Sequence, residues 1–157
     1  MSDWFIVSFD EAPGMVSERF GRAVRFEGEE KFPDFGINVR VLQPGQPNCL
    51  YHRENQAEAF LILSGECIAI VEDEEHPMRK GDFLYAPPWT THVFVGAGEG
   101  QCSILMVGTR HEPDEVHYPV SEVAARHGAA ADEPTDSPEQ AYSTTPRPEP
   151  AHTDLPW

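Results

Sequence analysis

Apolar and polar side chains alternate along this chain with the period of strands rather than helices. Gly36-Ile37-Asn38-Val39-Arg40-Val41-Leu42 carries an apolar residue at every second position and stops at Pro44-Gly45, a pattern that predicts a strand with one face on a core. The apolar side is expected to face inward, which turns Arg40 outward; turned inward, Arg40 would be a bidentate partner for a substrate carboxylate. Ala59 to Val71 is one apolar run broken at Ser64-Gly65, and it predicts two strands buried on both faces. The acidic stretch Glu72 to Glu75 and the group Lys80-Gly81-Asp82 read as solvated turns. Phe83-Leu84-Tyr85-Ala86 runs into Pro87-Pro88, His92-Val93-Phe94-Val95 runs into a glycine-rich turn at 96–100, and Cys102 to Val107 is the last clear strand. Turn signals recurring roughly every 8–12 residues, with no long helix between them, predict an all-β antiparallel sandwich or barrel over residues 35–110.

The flanks read differently. Residues 1–34 mix short apolar pieces (Trp4 to Val7, Ala23 to Phe26) with Pro13-Gly14 and Pro33-Asp34 breaks, as expected of an N-terminal arm of edge strands. In segment 111–129, Ser121 to His127 is the one helix expected: Ser121 caps it, Glu122 suits its first turn and Gly128 stops it. Residues 130–157 place Pro134, Pro138, Pro146, Pro148, Pro150 and Pro156 among Asp, Glu, Ser and Thr. Such a tail buries too little apolar surface to offset its ordering entropy. An extended form is expected, anchored if at all by Tyr142, Leu155 or Trp157.

Charge narrows the partners. With 11 Lys and Arg against 27 Asp and Glu the net charge is −16, which opposes phosphate backbones and anionic lipid, so neither nucleic acid nor membrane is an expected partner. No apolar run approaches ~18 residues, and a cytoplasmic location is expected. Cys49, Cys67 and Cys102 form no Cys-x-x-Cys pair; the latter two sit in strand-like runs and read as buried hydrophobes in a reducing compartment.

The candidate chemistry lies in two groups within the strand-rich region. His52 and Glu54 are alternate residues and so share a strand face; Glu58 opens the following strand, and His92 comes from a third. Two imidazoles and two carboxylates converging from three strands suit one divalent transition metal, with Zn, Mn, Fe or Ni all compatible with nitrogen and oxygen ligands. Without a cation these groups would be costly to desolvate. Any one of them alone is better read as a solvent-exposed polar residue or as part of a metal-free pocket; four at these spacings favour the metal. The other histidines (His76, His111, His117, His127 and His152) lie in turns or the tail and read as surface residues. Tyr51, Tyr85 and Trp89 are placed at the barrel mouth.

On these motifs the chain resembles a cupin, specifically a small single-domain bacterial cupin with a His-x-Glu first motif. The first cupin motif (Gly, five residues, His-x-His, three or four residues, Glu, six residues, Gly) is matched by Gly45, His52, Glu54, Glu58 and Gly65. The second (Gly, five residues, Pro-x-Gly, two residues, His, three residues, Asn) is matched by Gly81, Pro87, Trp89, His92 and Gly96. Three departures stand out: Glu54 replaces the second histidine, Gly96 the asparagine, and Gly45 is one residue too far from His52. A shifted register would put Tyr51 and Arg53 inward; the register with His52 and Glu54 inward is preferred, because both positions then hold competent ligands. The resemblance implies a double-stranded β-helix (jelly-roll) barrel that binds a small-molecule ligand, commonly as a homodimer, with the N-terminal arm a candidate for strand exchange.

The leading expectation is a metal-dependent enzyme of oxygenase or isomerase type, with the metal held by His52, Glu54, Glu58 and His92, and with Glu58 and His92 as catalytic candidates. Two rivals are a non-catalytic metal-containing ligand-binding or structural module and an interaction protein whose acidic tail wraps a partner.

Overall fold

The computed structural model describes residues 4–157; the first three residues of the expected arm lie outside the described residues. Its strands are β1 (Gly14–Ser17), β2 (Gly21–Arg25), β3 (Phe35–Leu42), β4 (Arg53–Glu54), β5 (Glu58–Ser64), β6 (Glu66–Val71), β7 (Glu74–Arg79), β8 (Phe83–Ala86), β9 (His92–Ala97), β10 (Cys102–Thr109), β11 (Val116–His117) and β12 (Glu149–Pro150). A seven-stranded sheet in the order β12-β1-β2-β3-β10-β5-β8 packs on a three-stranded sheet, β7-β6-β9, and a small ribbon pairs β11 with β4. Every pairing is antiparallel, and β10 joins both β3 and β5 across long stretches of chain. This is the jelly-roll, or double-stranded β-helix. Among the described residues no helix is long and apolar enough to cross a membrane.

The barrel core draws on both sheets. Leu42, Phe60, Ile62, Ile104 and Met106 from the large sheet meet Cys67, Ala69, Met78 and Phe94 from the small one, which is what two half-buried faces require. Cys67 and Cys102 are buried free thiols, as hydrophobes of that size should be.

Strand β3 is inverted relative to expectation. Val39 and Val41, 1 % and 4 % exposed, face away from the barrel and pack with Phe9 and Val24, while Asn38 and Arg40 line a cavity in its interior. The arm supplies a second apolar layer outside the sheet, so the apolar stripe of β3 has somewhere else to go. Arg40 therefore faces inward.

The helix expected after residue 120 is α1 (Glu122–Arg126). Ser121 Oγ accepts from Ala124 N at 3.1 Å and donates to Asp73 Oδ1 at 2.6 Å, so one hydroxyl both caps the helix and ties it to the β6–β7 turn. Ala124 and Ala129 pack on Tyr51, Ile70 and Val93. Tyr51, 2 % exposed, is thus buried beneath the α1 segment rather than standing at the barrel mouth. Its hydroxyl accepts from Asp73 N at 2.8 Å.

The tail docks on its own chain and is more ordered than a purely extended segment. It contains a one-turn helix, α2 (Pro138–Ala141), capped by Ser137, and β12 extends the sheet through β1. Tyr142 packs edge-on against Phe20 and Tyr118, Trp157 meets Phe9, and Leu155 remains exposed. The Tyr142 hydroxyl accepts from Leu50 N at 3.0 Å. Tyr142→Phe leaves that amide without a partner, and such an orphaned group costs about 1–3 kcal/mol. Thermal unfolding should drop by roughly 2–4 °C per kcal/mol for a chain of this size; an unchanged midpoint would show that the tail contributes no anchoring there.

Candidate metal centre

Three elements converge on one point. His52, just before β4, and His92, at the start of β9, form an isolated antiparallel bridge, with His92 N donating to His52 O at 2.9 Å. Their rings lie 5.1 Å apart. Each ring is oriented by a backbone carbonyl: Nδ1 of His52 lies 2.8 Å from Leu50 O, and Nδ1 of His92 lies 2.9 Å from Thr90 O. A carbonyl only accepts, so both Nδ1 atoms carry the hydrogen and both Nε2 atoms present a lone pair, the arrangement a metal-ligating imidazole needs. Glu58 opens β5, and its Oε2 reaches to 2.8 Å from His92 Nε2. Phe60, two residues on, sets its ring 5.2 Å from that of His92 and so backs it. One ligand atom each from His52, Glu58 and His92 lies within 4.8 Å of the others.

Glu54 stands beside this group, its Oε2 3.9 Å from His52 Nε2. The two motif positions, His52 and Glu54, line the same cavity as Glu58, which is the inward register; Tyr51 points the other way.

The electrostatics are those of a site with more charge than its burial tolerates. Burial and the neighbouring Glu58 carboxylate push Glu54 up to about 8. Burial also raises Glu58, but the hydrogen bond and charge of His92, together with His52 and Glu54, hold it below the ordinary carboxylate value. Burial lowers His92, yet Glu58 outweighs that and leaves it raised. His52 is lowered by burial and by the charge of His92.

These residues fit a divalent cation. The donors are two nitrogens and carboxylate oxygen, a set suited to Zn, Mn, Fe or Ni. Glu58 Oε2 is buried, and its one close partner, His92 Nε2 at 2.8 Å, can donate to it only when the ring carries a second proton. A lone pair of an Nδ1-protonated imidazole facing a carboxylate oxygen at that distance is repulsive unless a cation or a proton lies between them.

A pH experiment reads the strain directly. In the metal-free protein Glu54 keeps its proton up to about 8, whereas in the unfolded chain it loses it near 4.5. Its contribution to stability is therefore full below the unfolded value and is lost as pH rises towards the folded one. Glu54→Gln should flatten the fall in unfolding temperature between about pH 5 and pH 8 measured in chelator. Identical slopes for both proteins would mean that Glu54 ionises normally.

Around the centre lies a cavity of about 530 Å³ lined by Asn38, Arg40, Asn48, His52, Glu54 and Glu58, among others. The alternation of β3 puts Asn38 and Arg40 on one face, and the cover of the other face by Phe9 and Val24 turns this one to the cavity. Burial pushes the Arg40 guanidinium below its ordinary value, with the Cys49 thiol and the Tyr142 hydroxyl opposing and Arg25 reinforcing. Cys49 Sγ is 3.6 Å from His52 Nδ1, the ring nitrogen already held by Leu50 O rather than the one offered to the centre, and burial raises its thiol to about 12.

Tyr85 and Trp89 are 60 % and 47 % exposed and do not line this cavity. Trp89 occupies the motif's second glycine position with φ +69°, and its N–H donates to Glu54 O at 2.6 Å. That left-handed turn explains why glycine suits the position. Gly96, at the motif's asparagine position, admits no side chain, since a Cβ would lie 2.3 Å from Gln43 O. Of the outlying histidines, His127 pairs with Glu75 and His117 with Asp136, contacts that tie α1 to β7 and β11 to the start of the tail.

Residues 38–108, a little under half of the chain, match the family model of the cupin domain, and the double-stranded β-helix around a His/Glu cluster is the architecture expected of such a domain. It is 28 % identical over 65 residues, 41 % of this chain, to an uncharacterized protein of Methanocaldococcus jannaschii, a match spanning 52 % of that relative's length. Among solved structures it resembles a sugar phosphate isomerase of the cupin superfamily from Silicibacter pomeroyi, with a TM-score of 0.63 at 23 % identity over 71 % of this chain and 80 % of the other. It also resembles a polyketide cyclase from Streptomyces resistomycificus, with a TM-score of 0.60 at 14 % identity over 71 % and 83 %. At these identities the likeness is one of fold, and the fold hosts unlike chemistries.

Proposed function

We propose that this cupin holds one divalent transition metal through His52, Glu58 and His92, with Glu54 as a fourth ligand or proton carrier beside them, and that it acts as an enzyme on a small molecule bound in the adjoining cavity. The observation that carries the reading is the trio of converging ligand atoms, two of them on rings whose Nδ1 atoms are pinned to carbonyls. When bound, the cation supplies Lewis-acid or redox chemistry. The protein's own residues do the rest. Leu50 O and Thr90 O fix the ring orientations, and Phe60 keeps water from the His92 side. Glu54, beside the ligands on the cavity wall, is placed to move a proton there when it is not itself a ligand. Glu58 and His92 are the catalytic candidates because they meet at the buried end of the site. Isomerase and oxygenase chemistry both suit such a centre.

The arm (1–34), barrel (35–110), helical segment (111–129) and tail (130–157) act in this reading as one unit, with arm and tail walling the barrel. The exposed side chains Phe83 and Tyr85 on edge strand β8 support a homodimer formed there. Three free thiols suit a reducing, cytoplasmic setting.

Elemental analysis of protein purified without added metal, with anomalous scattering at the centre, tests the proposal. About one Zn, Mn, Fe or Ni per chain is expected; a centre that stays empty after soaking with all four removes it.

A further inference from the structure

Arg40 is the residue the metal proposal leaves without a task. Its Nε is buried with no hydrogen-bond partner, and among the described residues it joins no ion pair. The groups felt most strongly by its guanidinium are the neutral Cys49 thiol, the neutral Tyr142 hydroxyl and the like charge of Arg25. The residue is half-buried, and its guanidinium is turned to the cavity with no acidic partner in a protein of net charge −16, so it gains nothing from pairing within the fold.

Its surroundings indicate what would compensate it. Asn38, two residues earlier on the same inward face of β3, has a buried Oδ1 with no partner. Asn48 Nδ2 has only sulfur for company, the Met106 thioether at 3.9 Å and the neighbouring Cys49 thiol, both weak acceptors, while its Oδ1 is fixed by Phe94 N at 2.8 Å. All three side chains line the cavity that also holds His52, Glu54 and Glu58. One wall of that cavity thus offers a guanidinium N–H and an amide N–H to an anion and one carbonyl oxygen to a hydroxyl, while the other wall carries the His/Glu centre.

We propose that Arg40, with Asn48 and Asn38, is the anion subsite of this cavity, and that the ligand is a small hydroxycarboxylate whose carboxylate sits on Arg40 and whose hydroxyl reaches Asn38. This rests on the metal-centre reading only for what happens at the ligand's other end. The planar guanidinium fork matches a carboxylate; Arg110, which also lines the cavity, is already paired with Glu27, and the carboxylates of Glu54, Glu58, Glu112 and Asp114 outnumber Lys31 there, which favours a monoanion over a phosphate dianion.

The test uses the full-length protein with its metal content measured, probed by calorimetric titration and thermal shift with glycolate, acetate and inorganic phosphate. Glycolate should bind more tightly than acetate, and both more tightly than phosphate. Arg40→Met should weaken glycolate binding by about 10–100-fold, the equivalent of one charge-assisted hydrogen-bonded contact. It should leave metal content unchanged and the unfolding temperature no lower, because it removes a cation that no acidic group of the fold pairs without changing side-chain volume much. Arg40→Lys should keep the charge yet bind glycolate less well than wild type.

A wild-type protein indifferent to glycolate and acetate at tens of millimolar overturns the subsite, as does phosphate binding more tightly than either. An Arg40→Met protein that is less stable than wild type would show the guanidinium to be structural, with the same consequence. Loss of metal with glycolate binding intact would instead overturn the metal reading and leave the subsite standing.

Discussion

Replacing His92 with alanine is expected to strip the centre of its metal and abolish turnover. His92 is 2 % exposed, its Nδ1 is committed to Thr90 O, and its Nε2 is the closest neighbour of Glu58 Oε2. Its removal takes away a nitrogen ligand that no other histidine is placed to replace: His76 and His117 sit on β7 and β11, and His127 is paired with Glu75. If a centre of three or four ligands binds with the ~10–16 kcal/mol typical of zinc sites, one ligand accounts for roughly 3–4 kcal/mol, so affinity should fall by a factor on the order of 10² to 10³. The variant also leaves the Glu58 carboxylate buried without its imidazole, which costs the metal-free fold about 1–3 kcal/mol. Circular dichroism should show the β-sheet retained, while metal titration shows affinity reduced by that factor and metal lost to a competing chelator that wild type resists. Full occupancy or full activity in this variant would remove His92 from the centre and with it the proposed chemistry.

The fold was legible because its signals are local and repeated. The alternation in β3, the broken apolar run that becomes β5 and β6, and the glycine turns between strands each need only neighbours in sequence to be read. The convergence of His52, Glu58 and His92 was legible for a different reason: residues at fixed offsets from glycine turns inherit a fixed place on neighbouring strands. What stayed hidden depends on elements distant in sequence. The inward turn of Asn38 and Arg40 follows from the arm, whose Phe9 and Val24 cover the other face of β3; β3 alone cannot say which of its faces meets which layer. Tyr51 was misplaced for the same reason, since its burial depends on Ala124 and Ala129 more than seventy residues away. The tail looked unable to order itself by composition, and the few residues that dock it, Tyr142 and Trp157, act through partners in the arm and in the strand ends. One caution for reading β-barrels follows: in a strand that alternates, the polar face is a candidate cavity wall, and the apolar face belongs to whichever layer covers it.

The motif glycines separate two physical roles, and alanine substitutions should show the difference. Gly45, Gly65 and Gly81 all adopt positive φ, at +86°, +72° and +92°, a region that costs a residue with a Cβ about 1–2 kcal/mol. At Gly45 and Gly81 nothing lies within 4 Å of the added carbon, so that conformational cost is the whole effect, and the unfolding temperature should fall by roughly 2–8 °C. At Gly65 the new Cβ would stand 2.4 Å from Gln101 O and 2.8 Å from Cys102 Cα. Both obstacles are backbone, and the backbone there belongs to β10 and the turn before it, where Ser103 pairs with Ser64. Relief requires moving the strand that joins β3 to β5, and hence the strand on which Glu58 is mounted. Gly65→Ala should therefore cost about 3–5 kcal/mol, in the range reserved for core disruption, and lower the unfolding temperature by roughly 10 °C or more. Metal affinity should fall with it, because Glu58 and Gly65 bracket the same strand. Equal losses at Gly65 and Gly45 would mean that β10 yields freely, and that the barrel does not hold the centre as rigidly as the convergence of three strands requires.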